Sequence, residues 1–176
     1  MKHYICLKNW DNFPIYEDLV AYVFDESFRE RSDLGFAYSF DKRTKEPNFV
    51  MLRWPKFKEN SSLPDYVFAS VVSVVFSPFG IPHSTLIMKR GKTIGYPKVC
   101  QVFTSARSAP ALIDHRTFYR TVYYFAKNTD GLIFEGFPTK PLGAEEYYSK
   151  HKKIINYPFH LKLTNRDIKR FASNTF

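Results

Sequence analysis

The chain has 176 residues, 44% hydrophobic and 18% aromatic, with 26 Lys and Arg against 17 Asp and Glu, a formal net charge of +9. That balance excludes a disordered chain, and two cysteines exclude a disulfide scaffold. The longest apolar run, Tyr66–Phe76, is 11 residues, short of the roughly 18 that a membrane-spanning helix needs.

The length suits one domain, 1–176, burying roughly two thirds of its unfolded surface. Tyr4–Leu7 reads as a first strand. Ile15–Phe28 carries Leu19, Val20, Val23, Phe24 and Phe28 at helical spacing, with Glu17, Asp18, Asp25 and Glu26 outside. Phe36–Phe40 and Phe49–Trp54 are β-prone runs around the polar turn 41–46, a hairpin signature. Lys56–Ser62 is a polar loop. In Tyr66–Phe76, Tyr66, Ser70, Ser73 and Ser77 recur at i, i+4, i+7 and i+11, and Ser62-Leu63-Pro64-Asp65 resembles a capped start, so a helix is expected there. Its valines argue for a strand instead.

Ser84–Met88 and Val99–Thr104 are the next expected strands, joined through 89–92 and 95–98. Asp114 is expected to cap a helix running to about Lys127. Leu132–Phe137 reads as a short strand, Pro138–Gly143 as a loop and Ala144–Lys153 as a helix. Ile154–Leu163 reads as a strand interrupted at Pro158, and Thr164–Ser173 as a final helix with Thr164 and Asp167 in a capping box. Helices and strands interleave without a regular βαβ period, so the expected class is α+β, a mostly antiparallel sheet with about four helices packed on it.

The charge is unevenly distributed. Residues 1–88 hold 10 Lys and Arg against 11 Asp and Glu, whereas residues 89–176 hold 16 against 6. The near-neutral first half reads as scaffold. The basic half contains Lys89, Arg90 and Lys92, then Lys98, and on one face of the 114–127 helix Arg116, Arg120, Tyr123 and Lys127 at i, i+4, i+7 and i+11. Tyr147, Lys150, Lys152 and Lys153 follow, interleaving aromatics with cations, and Arg166, Lys169 and Arg170 lie beyond. Cations that track phosphates beside tyrosines that stack on bases are the pattern of a non-specific nucleic-acid binder. An ordinary solvated helix face gives the same spacing.

Catalytic patterns are weaker. Tyr147–Lys150 and Tyr124–Lys127 have the Tyr-x-x-Lys spacing of rolling-circle nucleases, but the His-x-His pair that binds their metal is absent. His160-x-Lys162 with Asp167 resembles the HxKxxxxD spacing of the phospholipase D superfamily, in which the histidine attacks phosphorus. The Gly-Ser and Asn that follow there are absent here, and Asp167 already has a capping role. Asp130 and Glu135 bracket a strand with Lys140 too far along for a metal-nuclease core. Asp114-His115 places a carboxylate beside a histidine at a helix start, where the imidazole is expected to be neutral. A metal-independent nuclease needs only a base, an acid and phosphate-holding cations, which His83, His115, His151 and His160 with Arg107, Arg116 and Arg120 could supply.

Cys6 and Cys100 form no CxxC pair, so no thiolate zinc site or other cofactor is expected. With no signal-peptide pattern at the N-terminus, they point to a reducing, cytoplasmic setting. The expected function is non-specific RNA or DNA binding. The alternatives are a toxin-like nuclease using a histidine such as His115 or His160, and a module or inhibitor docking on an acidic protein partner. The acidic segment 17–30 also allows self-association.

Overall fold

The computed structural model describes residues 1–8, 15–29, 37–40, 47–53, 71–76, 88–89, 92–93, 98–104, 112–136 and 140–158. The elements in chain order are β1 (Lys2–Leu7), α1 (Tyr16–Val23), a 3-10 turn (Glu26–Phe28), β2 (Ala37–Phe40), β3 (Pro47–Arg53) and β4 (Val71–Phe76). Then come β5 (Met88–Lys89), β6 (Lys92–Thr93), β7 (Lys98–Thr104), α2 (Leu112–Asn128), β8 (Leu132–Phe134) and α3 (Ala144–Ile155). The class is α+β. Six strands form one antiparallel sheet in the order β2-β3-β4-β7-β1-β8, and β5 pairs with β6 apart from it.

β1 lies inside this sheet, and its alternation explains why. His3, Ile5 and Leu7 are buried on one face, while Cys6 packs on the other with Tyr4, Leu132 and Phe134. Ile5 pairs with Cys100 on one side and Ile133 on the other, and all three are fully buried in the main core. α2 packs across β1, β4, β7 and β8, and α1 and α3 pack on α2. α2 therefore runs through the centre of the core and is buried around most of its circumference, including Asp114, His115, Arg116 and Thr117. Its threonines are satisfied within the helix. The hydroxyls of Thr117 and Thr121 donate to the carbonyls of Ile113 and Thr117, 2.9 and 2.8 Å away.

α2 ends in a left-handed turn. Asp130 has φ 48°, and the amide of Gly131 donates back to the carbonyl of Ala126 at 2.8 Å. Gly131 then passes so close to β1 that a β-carbon there would lie 2.8 Å from Ile5 Cγ2 and 3.1 Å from the Cys6 carbonyl. Only glycine admits this approach.

Several sequence expectations are corrected. Val71–Phe76 is a strand, hydrogen-bonded on both sides by β3 and β7, with Ser73 opposite Met51 and Phe103. Two flanking ladders and four β-branched valines outweigh the serine periodicity; residues 66–70 lie outside the described residues. α1 stops at Val23 because Asp25 is extended (φ 177°) and caps the 3-10 turn, accepting from the Ser27 amide at 3.2 Å. Asp114 sits inside the first turn of α2, not at its cap. Ile154 and Ile155 complete α3 and are not strand: at i+7 and i+8 from Tyr147 they continue the buried side of the helix. The α-helices among the described residues number three, not about four; the expected helix 164–173 lies outside them, as do His160 and the capping-box residues.

Candidate functional site

Of the stripe expected to face nucleic acid, Arg116 and Tyr123 are buried, Arg120 is half-buried and Lys127 is exposed. Arg116 is 3% exposed. Its Nε donates to the Tyr157 carbonyl at 2.7 Å, and its Nη atoms donate to the carbonyls of Val23 and Phe24. Arg120 reaches the Tyr22 carbonyl through Nε at 2.8 Å and through Nη2, and the Ile155 carbonyl through Nη1 at 2.9 Å. Its guanidinium lies 4.4 Å from the ring centroid of Tyr22. The acceptors are the last carbonyls of α1 and the residues that end and follow α3. Those groups have no partner within their own helix and carry the negative end of its dipole. The two arginines therefore cap two helices at once and tie both to α2. Burial, then the neighbouring Arg120, lowers Arg116 to about 9, so it remains charged at neutral pH.

The tyrosines of the expected interface are also interior. Tyr123 is buried, donates to Glu145 at 3.3 Å and carries Lys127 at 5.5 Å from its ring centroid. Tyr147 is fully buried and pairs its hydroxyl with Nδ1 of His3 at 3.0 Å. Arg116, Tyr123 and Tyr147 are thus buried and not at a surface as expected, while Arg120 is half-buried with its guanidinium turned to backbone carbonyls. A 3.6-residue stripe shows which residues share a face, not whether water or protein covers it.

The exposed cations of α3 remain outside. Ser149, Lys152, Lys153 and Asn156 stand at i, i+3, i+4 and i+7 and are all exposed. Lys150 is exposed beside them and ion-pairs with Glu135. Among the described residues Lys152 and Lys153 form no ion pair. Lys89 and Lys92 are register partners in β5–β6, and Lys98 stands opposite Leu7; Arg90 lies outside the described residues.

A second group gathers beneath α3. Glu135, just after β8, accepts from both Lys150 Nζ and His151 Nε2. Burial pushes the Glu135 carboxyl up, and these two hydrogen bonds more than reverse it, leaving it below the usual range. Burial likewise lowers His151, with Glu135 opposing. A neutral His151 donates its Nε2 proton to Glu135 and leaves a lone pair on Nδ1. Its ring lies 4.4 Å from Tyr119 and 4.6 Å from Tyr147, and Tyr119 stacks at 6.2 Å on His115. His115 is buried and lowered to about 4 by burial and then the N-terminal amine, so it is neutral, as its position near a helix start suggests. The sequence offered His151 as a candidate and Glu135 only as part of a metal-nuclease pattern with Asp130; it did not offer His3, which comes from β1, and no local spacing joins the three. Among the described residues no three His, Cys, Asp or Glu side chains gather as a metal site would require, and no helix is long and apolar enough to cross a membrane.

Comparison with family models, with curated proteins and with solved structures gives no match.

Proposed function

We propose that this protein binds nucleic acid without sequence preference through the outer ridge of α3. What supports the reading is the run Ser149, Lys152, Lys153 and Asn156 at consecutive-turn spacing, two exposed lysines flanked by groups that also bond phosphate oxygens, with Lys150 alongside. The excess of cations in residues 89–176 supplies the long-range attraction. Lys127, Lys89, Lys92, Lys98 and Arg90 extend the basic set. The buried free thiols Cys6 and Cys100 accord with action in the cytoplasm.

Fluorescence anisotropy with RNA and DNA oligonucleotides across a salt series tests this. Each phosphate contact contributes about 0.7–0.9 to the slope of log K against log salt, so Lys152→Ala with Lys153→Ala should lower the slope by roughly 1.5. Absence of binding at about 50 mM salt, or binding indifferent to salt, refutes the proposal. Capture of an acidic protein instead would move the same ridge to a protein-docking role.

The Glu135–His151 pair favours a second reading, metal-independent nuclease activity. A carboxylate that fixes the imidazole tautomer leaves Nδ1 as a base, beside a lysine able to hold a phosphate. RNA cleavage in EDTA that is abolished in His151→Ala would support it; cleavage unchanged in that variant would remove it.

A further inference from the structure

A cavity of about 490 Å³ opens between α1, the 3-10 turn, α2 and the residues after α3. That volume falls within the range of small-molecule sites, roughly 300–1,000 Å³. Its walls are sorted by charge. Arg116 is buried in its floor with Phe24 and Tyr157, and Arg120 lines it from the next turn of α2. Asp25 and Glu26 are exposed at its rim, with Asp18 half-buried behind them. Arg29 bridges Asp18 and Glu26. Asp25 has no such cation partner among the described residues; it accepts only from the amide and hydroxyl of Ser27. One side wall is aromatic: Tyr22 and Tyr124 stack with centroids 4.7 Å apart and planes 23° from parallel.

Arg120 hydrogen-bonds two backbone carbonyls and packs on one ring face; no carboxylate among the described residues ion-pairs with it, although Asp25 lies near enough to favour its charge. Carbonyl dipoles hold such a half-buried cation but do not neutralise it, so an arriving anionic group gains a charge-assisted contact. The acidic rim sets the opposite condition. It repels polyanions and favours a ligand that carries a positive charge at its outer end. Two poles of opposite sign beside an apolar aromatic wall match a single ligand class.

We propose that this cavity binds a small zwitterion of the α-amino-acid class. Its carboxylate meets Arg120 and Arg116, its ammonium meets Asp25, and an aromatic or aliphatic side chain lies against Tyr22 and Tyr124. This site is separate from the α3 ridge and does not depend on nucleic-acid binding.

Calorimetric titration of the full chain with three probes tests the assignment: phenylalanine, 3-phenylpropionate, which lacks the ammonium, and phenethylamine, which lacks the carboxylate. Phenylalanine should bind, and each half-ligand should bind at least roughly tenfold more weakly. Asp25→Asn keeps the side-chain acceptor for Ser27 and removes only the charge. It should weaken phenylalanine roughly three- to tenfold while strengthening 3-phenylpropionate. Three outcomes overturn the proposal: no heat from phenylalanine at about 10 mM, 3-phenylpropionate binding as tightly as phenylalanine, or affinities unchanged in Asp25→Asn.

Discussion

Mild acid should unfold this protein, and two buried histidines set the scale. His3 and His115 are 7% and 8% exposed, and burial lowers each from 6.5 to about 4. His3 is enclosed by Phe118, Tyr119 and Tyr147, with ring centroids 4.8 to 5.8 Å away. The sign follows directly. The native state holds both rings neutral, and the unfolded chain takes up their protons once the pH falls below 6.5. Stability is therefore complete above pH 6.5 and is lost as the pH falls toward 4. A depression of that size is worth about 3 kcal/mol per histidine, so the pair contributes about 6 kcal/mol, a large part of the 5–15 kcal/mol that holds a typical domain together. Between those limits the slope should approach about 2.7 kcal/mol per pH unit, two protons' worth. His151 adds in the same direction, and Glu135, held low by Lys150 and His151, adds below about pH 4.5. Urea unfolding followed by circular dichroism at half-unit pH intervals measures this. His3→Gln and His115→Gln should each remove about one proton from the slope. A stability that stays flat from pH 6.5 to 4.5, or a slope unchanged in both variants, would refute the reasoning.

Three further outcomes are expected. Gly131→Ala should destabilise by roughly 1–3 kcal/mol, read as a lower urea midpoint at unchanged m, because the new methyl meets Ile5 and the Cys6 backbone. Arg120→Met should cost about 2–4 kcal/mol, since the carbonyls of Tyr22 and Ile155 lose their donor together; Arg120→Lys should recover little of it, because an ammonium lacks the planar fork. A thiol reagent should leave Cys6 and Cys100 unmodified in the native protein and react with both in urea, as burial raises Cys6 to about 11 and Cys100 further; rapid native labelling would contradict their placement.

Much of the element pattern was legible. The hairpin of Ala37–Phe40 with Pro47–Arg53, the strand ending at Thr104 and the helices over 112–128 and 144–155 each carry a local periodicity that survives folding. Two of the errors share a cause. At Val71–Phe76 and at Arg116–Arg120 the local pattern was genuine, but its meaning depended on neighbours distant in sequence: β3 and β7 in one case, the ends of α1 and α3 in the other. A guanidinium that caps buried helix ends and one that faces solvent look identical in one dimension. The Glu135–His151 contact and the amphoteric cavity are harder still, because their members lie on separate elements with no fixed spacing.

The interior position of β1 bears on how the chain acquires its structure. Ile5 is bonded between Cys100 and Ile133, so β1 has neither neighbour until β7 and β8, far along the chain, have been made. During synthesis, at about 5–20 residues per second, its two edges stay open for several seconds. Pairings across such long intervals also slow spontaneous refolding compared with a bundle of local contacts. Until β7 and β8 arrive, the segment Lys2–Leu7 is an unpaired apolar strand, the kind of exposed edge on which chains associate. Production of this protein should therefore be sensitive to translation speed and to chaperone supply.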